Sequence, residues 1–320
     1  MKNRLFLVIY ILLTLNACST SSSTNWMQVN KENIDKKNIT QIALPGSYLA
    51  NAYKINGSEE VCYGETIPDI KSANANLKEY LLSNNQFNIK NFINHLNTQK
   101  YDISEQLSQG IRYLEIQVCQ QHKNYYTSNY FLTDKLSKIN NQIIQFINKY
   151  PEEIIIIDFN YYLWTENGYM NAIEIKNFHD FLEQQLGSYL IPKNLNNLTI
   201  GEIKKRKERI IILSSSKDLN QFDNIWDKNT TAITIPNDFS AIKKISTLQM
   251  VQEQFKNNSY QNKFVILPVY ELLPINDLIS TENKVNNNMV LNYIQRSISS
   301  NASIIVLDKN STNSALLKSF

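Results

Sequence analysis

Tyr48 stands directly after Pro45-Gly46-Ser47, at the end of the apolar run IALPGSY, residues 42–48. Pro-Gly-Ser reads as a tight polar turn, able to deliver the next side chain to the mouth of a pocket. Glu115 and Gln117 fall near the end of a second apolar run and Thr127 near the end of a third. Asp158, Glu271 and Asp308 end or follow runs rich in Ile and Val. Carboxylates gathered at strand ends can move protons or hold a hard cation. Glu115, Asp158 and Asp308 together would supply three oxygen ligands for calcium or magnesium; the plainer alternative is that some of them cap helices or pair with lysines. Three histidines titrate near neutral pH. His122 lies just beyond a strand end and is the one candidate acid or base. His95 falls in a polar stretch and His179 in a helical pattern.

Apolar runs at residues 39–44, 111–119, 125–126 (weak), 153–159, 209–215, 232–236, 263–270 and 302–308 supply eight strands. Continuous Ile/Val runs without alternation suit strands buried on both faces of a parallel sheet. Residues 134–150, 172–187, 248–257 and 288–300 carry apolar side chains near a 3.6-residue period; the first stops before Pro151 and the second on Gly187. This alternation predicts an α/β chain folded as one (β/α)8 barrel, with functional groups at the C-terminal ends of the strands. Residues 69–100 predict a polar helical insertion after the first strand. The basic run KKRKER, residues 204–209, reads as a solvated helix end, with membrane-surface contact the lesser alternative. The 18 tyrosines include clusters after the second and fourth runs that could line a sugar- or headgroup-stacking groove, though packing explains most of them.

The chain begins as a targeting segment. Lys2 and Arg4 precede an apolar stretch, residues 5–15, too short to span a bilayer. Leu15-Asn16-Ala17-Cys18 resembles a bacterial lipobox, which implies cleavage after residue 17 and acylation, including palmitate, at Cys18. The polar residues that follow read as a tether, 18–25, ahead of a barrel domain at 26–320. Ser19 leans towards an outer-membrane lipoprotein of the cell envelope. Losing Lys2 and Arg4 lowers the formal charge from +3 to +1, which gives no argument for nucleic acid. Cys62 and Cys119 remain as an even pair in an oxidising compartment; a disulfide and two buried thiols are both open.

The order LPGSY, then QLSQGIRYLEIQV, then FINKYPEEIIIIDF resembles the phosphatidylinositol-specific phospholipase C X domain, as does LTIGEIKKRKERIIIL at residues 198–213. The resemblance runs from about Trp26 to Asp308 and implies a distorted (β/α)8 barrel of the PLC-like phosphodiesterase type. In that family a histidine in Pro-Gly-Thr/Ser-His is the general base, and a second, in His-Gly after the third strand, protonates the leaving oxygen. An arginine in Asp-x-Arg, or a calcium ion, meets the phosphoryl charge. Here the first position is Tyr48, followed by Leu49, and Asp-x-Arg reads Glu115-Ile116-Gln117. The second histidine falls at or near Thr127, Tyr161 takes the place of a further histidine, and Asp308 matches a late acid. A phenol, with a reference pKa of about 10, is a poor base at neutral pH. With the lipobox supplying a membrane anchor, the resemblance implies a non-hydrolytic pseudoenzyme that binds an inositol lipid, glycan or protein, without a cofactor. The alternative is a divergent phosphoric diester hydrolase acting on inositol phospholipid or a glycerophosphodiester, with a rebuilt carboxylate site assisted by Ca or Mg.

Overall fold

The structure, a computed structural model, describes residues 23–62, 89–159, 163–234, 262–269 and 303–307. The Ile- and Val-rich runs become short strands. Along the chain these are β1 (Leu44–Ser47), β2 (Tyr113–Glu115), β3 (Val118–Gln121), β4 (Asn124–Asn129), β5 (Phe131–Lys135), β6 (Ile155–Phe159), β7 (Leu163–Thr165), β8 (Gly168–Tyr169), β9 (Ile210–Ser214), β10 (Ile225–Asp227), β11 (Ala232–Thr234), β12 (Phe264–Val269) and β13 (Ile304–Leu307). Eight of them form one parallel sheet in the order β10-β9-β6-β2-β1-β13-β12-β11. β10 and β11 stand at its two ends, so the sheet curls into a nearly closed barrel with its seam between them. A second sheet, β5-β4-β3-β7-β8, is built from the segments that follow β2 and β6.

The period of two in a strand sorts its residues between two cores. Leu44, Tyr113, Ile156, Leu213, Trp226, Ile266 and Val306 fill the barrel interior. Their neighbours Leu114, Ile155, Ile157, Ile210 and Ile212 face outwards against Ile139 and Ile143 of the helix Leu136–Lys149 and Phe178 and Leu182 of the helix Ala172–Leu186. Each fully buried Ile or Leu contributes on the order of 1.5–3 kcal/mol. Asn171 caps the second helix, accepting from Ile173 and Glu174 N–H while Glu174 reaches back to the cap.

Several expectations need correcting. The eight-strand barrel stands, but its membership differs. The weak third run is β4, in the second sheet, and β10 takes its place in the barrel. β10 reads Ile-Trp-Asp and is too short to show as an apolar run. Residues 111–119 divide between two sheets, because the chain leaves the barrel after Glu115: Ile116 N–H donates to Asp158 O and Gln117 O accepts from Ser128 N–H. Pro45-Gly46-Ser47 is part of β1 and not a turn. Its glycine is needed for closeness, since a Cβ at Gly46 would meet Tyr113 Cδ1 at 2.8 Å. Residues 39–41 form a 3-10 turn instead of opening the first strand. Of the expected tether, Ser23–Asn25 forms a 3-10 turn whose Thr24 Oγ1 donates to Ser108 O, and residues 18–22 lie outside the described residues. Of the insertion, the helix Ile89–Leu96 is described and residues 69–88 lie outside the described residues, as do the helical stretches 248–257 and 288–300.

The end of the barrel where the strands begin is closed by the N-terminal segment. Arg112 and Glu153 form a fully buried ion pair there, 2.7 Å apart. Arg112 also donates to the carbonyls of Leu107, Ile111 and Thr24. Glu153 accepts from the N–H groups of Met27 and Gln28, at the start of the short helix Trp26–Val29. Every polar side-chain atom of the pair is engaged, and three of these bonds, to Thr24, Met27 and Gln28, seat residues 24–28 under the barrel.

Cys62 and Cys119 are joined by a disulfide that closes a loop of 57 residues and pins the segment before it to β3. Chain-entropy bookkeeping for such a loop gives about 4 kcal/mol. Urea unfolding of Cys62→Ser against wild type should lose up to that amount, and dithiothreitol should bring wild type down to the same curve.

Candidate functional site at the barrel mouth

The C-terminal strand ends gather polar groups above the apolar interior. Register sets Glu115 beside Asp158 across β2 and β6, and Asp158 beside Leu213 of β9. Asp158 is fully buried, and its Oδ2 accepts from both Tyr113 Oη and Lys228 Nζ. Lys228 follows β10, so the pair reaches across β9 from one strand end to another. Its ammonium is almost completely buried. A lysine and an aspartate taken from water at this cost persist when hydrogen bonds satisfy them, and Tyr113 supplies one more. Asp158 Oδ1 has no hydrogen-bond partner among the described residues. Ser215 Oγ, on the loop leaving β9, has none either.

Tyr48 is half-buried at the top of β1, packed between the barrel core and a smaller cluster of Leu49, Ala52, Ile55, Leu96 and Phe131. Its N–H donates to Leu307 O, and its carbonyl accepts from Thr98 Oγ1 and Gln99 Nε2. Leu49, next in the chain, is held at φ +38°, a left-handed conformation that costs a non-glycine residue about 1 kcal/mol or more. β1 therefore delivers the Tyr48 side chain to the mouth on a backbone fixed from both sides.

The remaining sequence candidates divide. Gln117 is buried and its carbonyl lies against β4. Thr127 does not offer a free hydroxyl: Oγ1 shares a 2.7 Å hydrogen bond with Thr133 and donates to Asp134 O. The next residue, Ser128, has a buried Oγ without a partner among the described residues, and its N–H meets Gln117 O. His122 sits in the turn between β3 and β4, more than half exposed, with Nε2 2.8 Å from Glu60. It is not brought to Asp158. His179 is stacked flat on Phe222 at 3.6 Å and meets Asn224 Oδ1, outside the barrel; His95 is exposed on the helix Ile89–Leu96. Cys18, Tyr161, Glu271 and Asp308 lie outside the described residues. Lys228 was missed by sequence reading. Its signal was a lysine directly after Ile-Trp-Asp, visible only once that tripeptide is known to be a strand.

The third oxygen ligand of the expected cation set, Asp308, lies outside the described residues. Among them no three His, Cys, Asp or Glu side chains are grouped as ligands, and the ammonium of Lys228 already lies 2.5 Å from Asp158.

Beside the mouth, Asp134 accepts from Tyr53, Lys54 and Lys138. Burial alone would raise its carboxyl pKa, but these three hydrogen bonds outweigh burial and hold it below the ordinary value. A depressed carboxylate adds stability above its unfolded-state pKa and loses it as pH falls through the folded one. The stability gap between wild type and Asp134→Asn should therefore hold from neutral pH down to about pH 4 and close below it, as read by urea unfolding.

No family model matches the chain. Over 209 residues, 64% of its length, it is 20% identical to PI-PLC X domain-containing protein 2 of Mus musculus, and over 213 residues 20% identical to that of Homo sapiens. The match takes in 57% of the mouse protein and 64% of the human one. Among solved structures, the phosphatidylinositol-specific phospholipase C of Listeria monocytogenes aligns with a TM-score of 0.60 at 16% identity, over 93% of this chain and 97% of that one. The corresponding Staphylococcus aureus structure gives 0.60 at 14%, over 94% and 98%. The fold is that of a phosphatidylinositol-specific phospholipase C. On this phospholipase C fold the mouth carries Tyr48, Glu115, Asp158 and Lys228, and no histidine among the described residues there.

Proposed function

We propose that the mouth binds a phosphorylated polyol headgroup of the inositol type without cleaving it, and that the protein is a lipid-anchored envelope lipoprotein, acylated at Cys18. The observation that carries this reading is the buried Lys228–Asp158–Tyr113 group set beneath Tyr48. It offers a cation for phosphate and a carboxylate oxygen for hydroxyls, and no histidine stands beside it among the described residues. In-line cleavage needs a base and an acid on opposite sides of phosphorus, and each missing one costs roughly 10² to 10⁴ in rate. The disulfide agrees with an oxidising compartment. Among the described residues no helix is long and apolar enough to cross a membrane, so membrane attachment rests on the lipobox.

Calorimetric titration with inositol 1-phosphate and with glycerophosphoinositol tests the reading. Saturable heat without product is expected; absence of binding to either would remove it. A second reading, a divergent hydrolase, is favoured by the unpartnered Asp158 Oδ1, which could accept a proton beside Glu115.

A further inference from the structure

The barrel has two ends, and basic residues gather at the one opposite the mouth. The end opposite the mouth is made of residues that precede the strands. There Ile200 N–H donates to Lys37 O and Gly201 N–H to Asp35 O, while Lys204 Nζ donates to Met27 O and to Asp35. These contacts join the segments 31–37 and 202–208 into one surface. Lys31, Lys36, Lys37, Lys205, Arg206 and Lys207 are all exposed on it. The two segments hold seven basic side chains against four acidic ones, whereas the chain after residue 17 carries only +1 in total. Three of the four acids there are engaged, Asp35 by Lys204, Glu208 by Arg206, and Glu202 by the helix cap at Thr199, while Glu32 is exposed. Val29, a large apolar side chain, is half-exposed in the adjoining helix Trp26–Val29.

The same end receives the start of the chain. Thr24 is held by Ser108 O and Arg112, and Trp26 Nε1 donates to Gly110 O, all just before β2 begins. The stretch from Cys18 to Ser23 can reach at most about 18 Å.

We infer that this basic end of the barrel is a docking face for an anionic bilayer, and that the mouth therefore opens away from the membrane that holds the protein. The orientation rests on the lipid-anchor reading; the docking face rests on the charge distribution alone. An anchor that emerges beside the basic face brings that face to the headgroups, where each exposed Lys or Arg strengthens attachment about fivefold. Lipids of the carrier bilayer then lie on the far side of the barrel from Asp158 and Lys228. The ligand's inositol phosphate chemistry must be presented from the aqueous side, either free or by a facing membrane.

The test uses the full chain, purified from membranes and reconstituted in vesicles rich in phosphatidylglycerol, with single fluorophores at Lys207→Cys or Glu166→Cys. Residue 207 is exposed on the basic end, and residue 166 is exposed in the turn after β7 on the mouth side. Energy transfer to a headgroup dye is expected to be strong from residue 207 and weak from residue 166. Equal transfer, or stronger transfer from residue 166, overturns the orientation. For the soluble Cys18→Ser chain, partition onto the same vesicles should fall about fivefold for each of Lys36→Gln, Lys37→Gln and Lys205→Gln. Indifference to all three overturns the docking face. The intact mass of the purified chain tests acylation separately, so a failed anchor is not confused with a failed face. A fluorescent inositol phosphate should bind the reconstituted protein from solution. Phosphatidylinositol should compete when carried by a second vesicle population and not when confined to the carrier bilayer; competition from the carrier alone overturns the inference.

Discussion

Lys228→Met is expected to lower folding stability by about 3–5 kcal/mol, because it leaves Asp158 charged, fully buried and short of its counter-ion. Tyr113 alone cannot replace an ammonium; one neutral donor is worth about 1 kcal/mol net. The double variant Lys228→Met, Asp158→Asn removes both charges and should recover most of that loss. The binding outcome separates structure from function. If Lys228 also meets the ligand's phosphate, the double variant stays weak by about tenfold to a hundredfold despite its restored stability, the value of one charge-assisted hydrogen bond. Urea unfolding and calorimetry on the same preparations check both halves. Full recovery of binding in the double variant would make the pair structural only.

Glu153→Ala should be as damaging at the other end of the barrel. It strands the Arg112 guanidinium at 0% exposure and frees two backbone donors at the start of the helix Trp26–Val29. Burial pushes the Arg112 pKa down, and Glu153 pulls it back up. A loss of about 3–5 kcal/mol is expected. Hydrogen exchange should show residues 24–34 opening first, since those are the elements the carboxylate seats. Glu153→Gln keeps one acceptor oxygen, and so one of the bonds from Met27 and Gln28, and should cost less than the alanine variant. Equal costs would mean that the charge and not the seating dominates.

The long Ile-rich strands β6 and β9 were legible because buried parallel strands leave continuous apolar runs in the chain. Short strands were not. β10 spends its three residues on Ile, Trp and Asp, so its strand character comes only from pairing with β9. That omission hid Lys228, the cation of the mouth, although Tyr48, Glu115 and Asp158 were all placed by the rule that strand ends carry function. Thr127 illustrates the opposite limit. Its position near the mouth was reasonable, but β4 turns its hydroxyl towards Thr133 and leaves Ser128 facing the neighbouring Gln117 backbone. A one-residue shift along a strand exchanges faces, and an irregular register such as that between β4 and β5 is invisible in sequence. The pairing of Cys62 with Cys119 was likewise undecidable from spacing, because it depends on β3 lying beside a segment 57 residues away.

Phosphorus NMR of wild-type protein incubated with phosphatidylinositol vesicles, and separately with glycerophosphoinositol, tests the central reading most directly. The expected spectra show the substrate resonance broadened or shifted by binding, and no inositol cyclic phosphate above the uncatalysed level. Product that accumulates with repeated turnover and disappears in Glu115→Ala would contradict it, and would make the mouth a working hydrolase without imidazole.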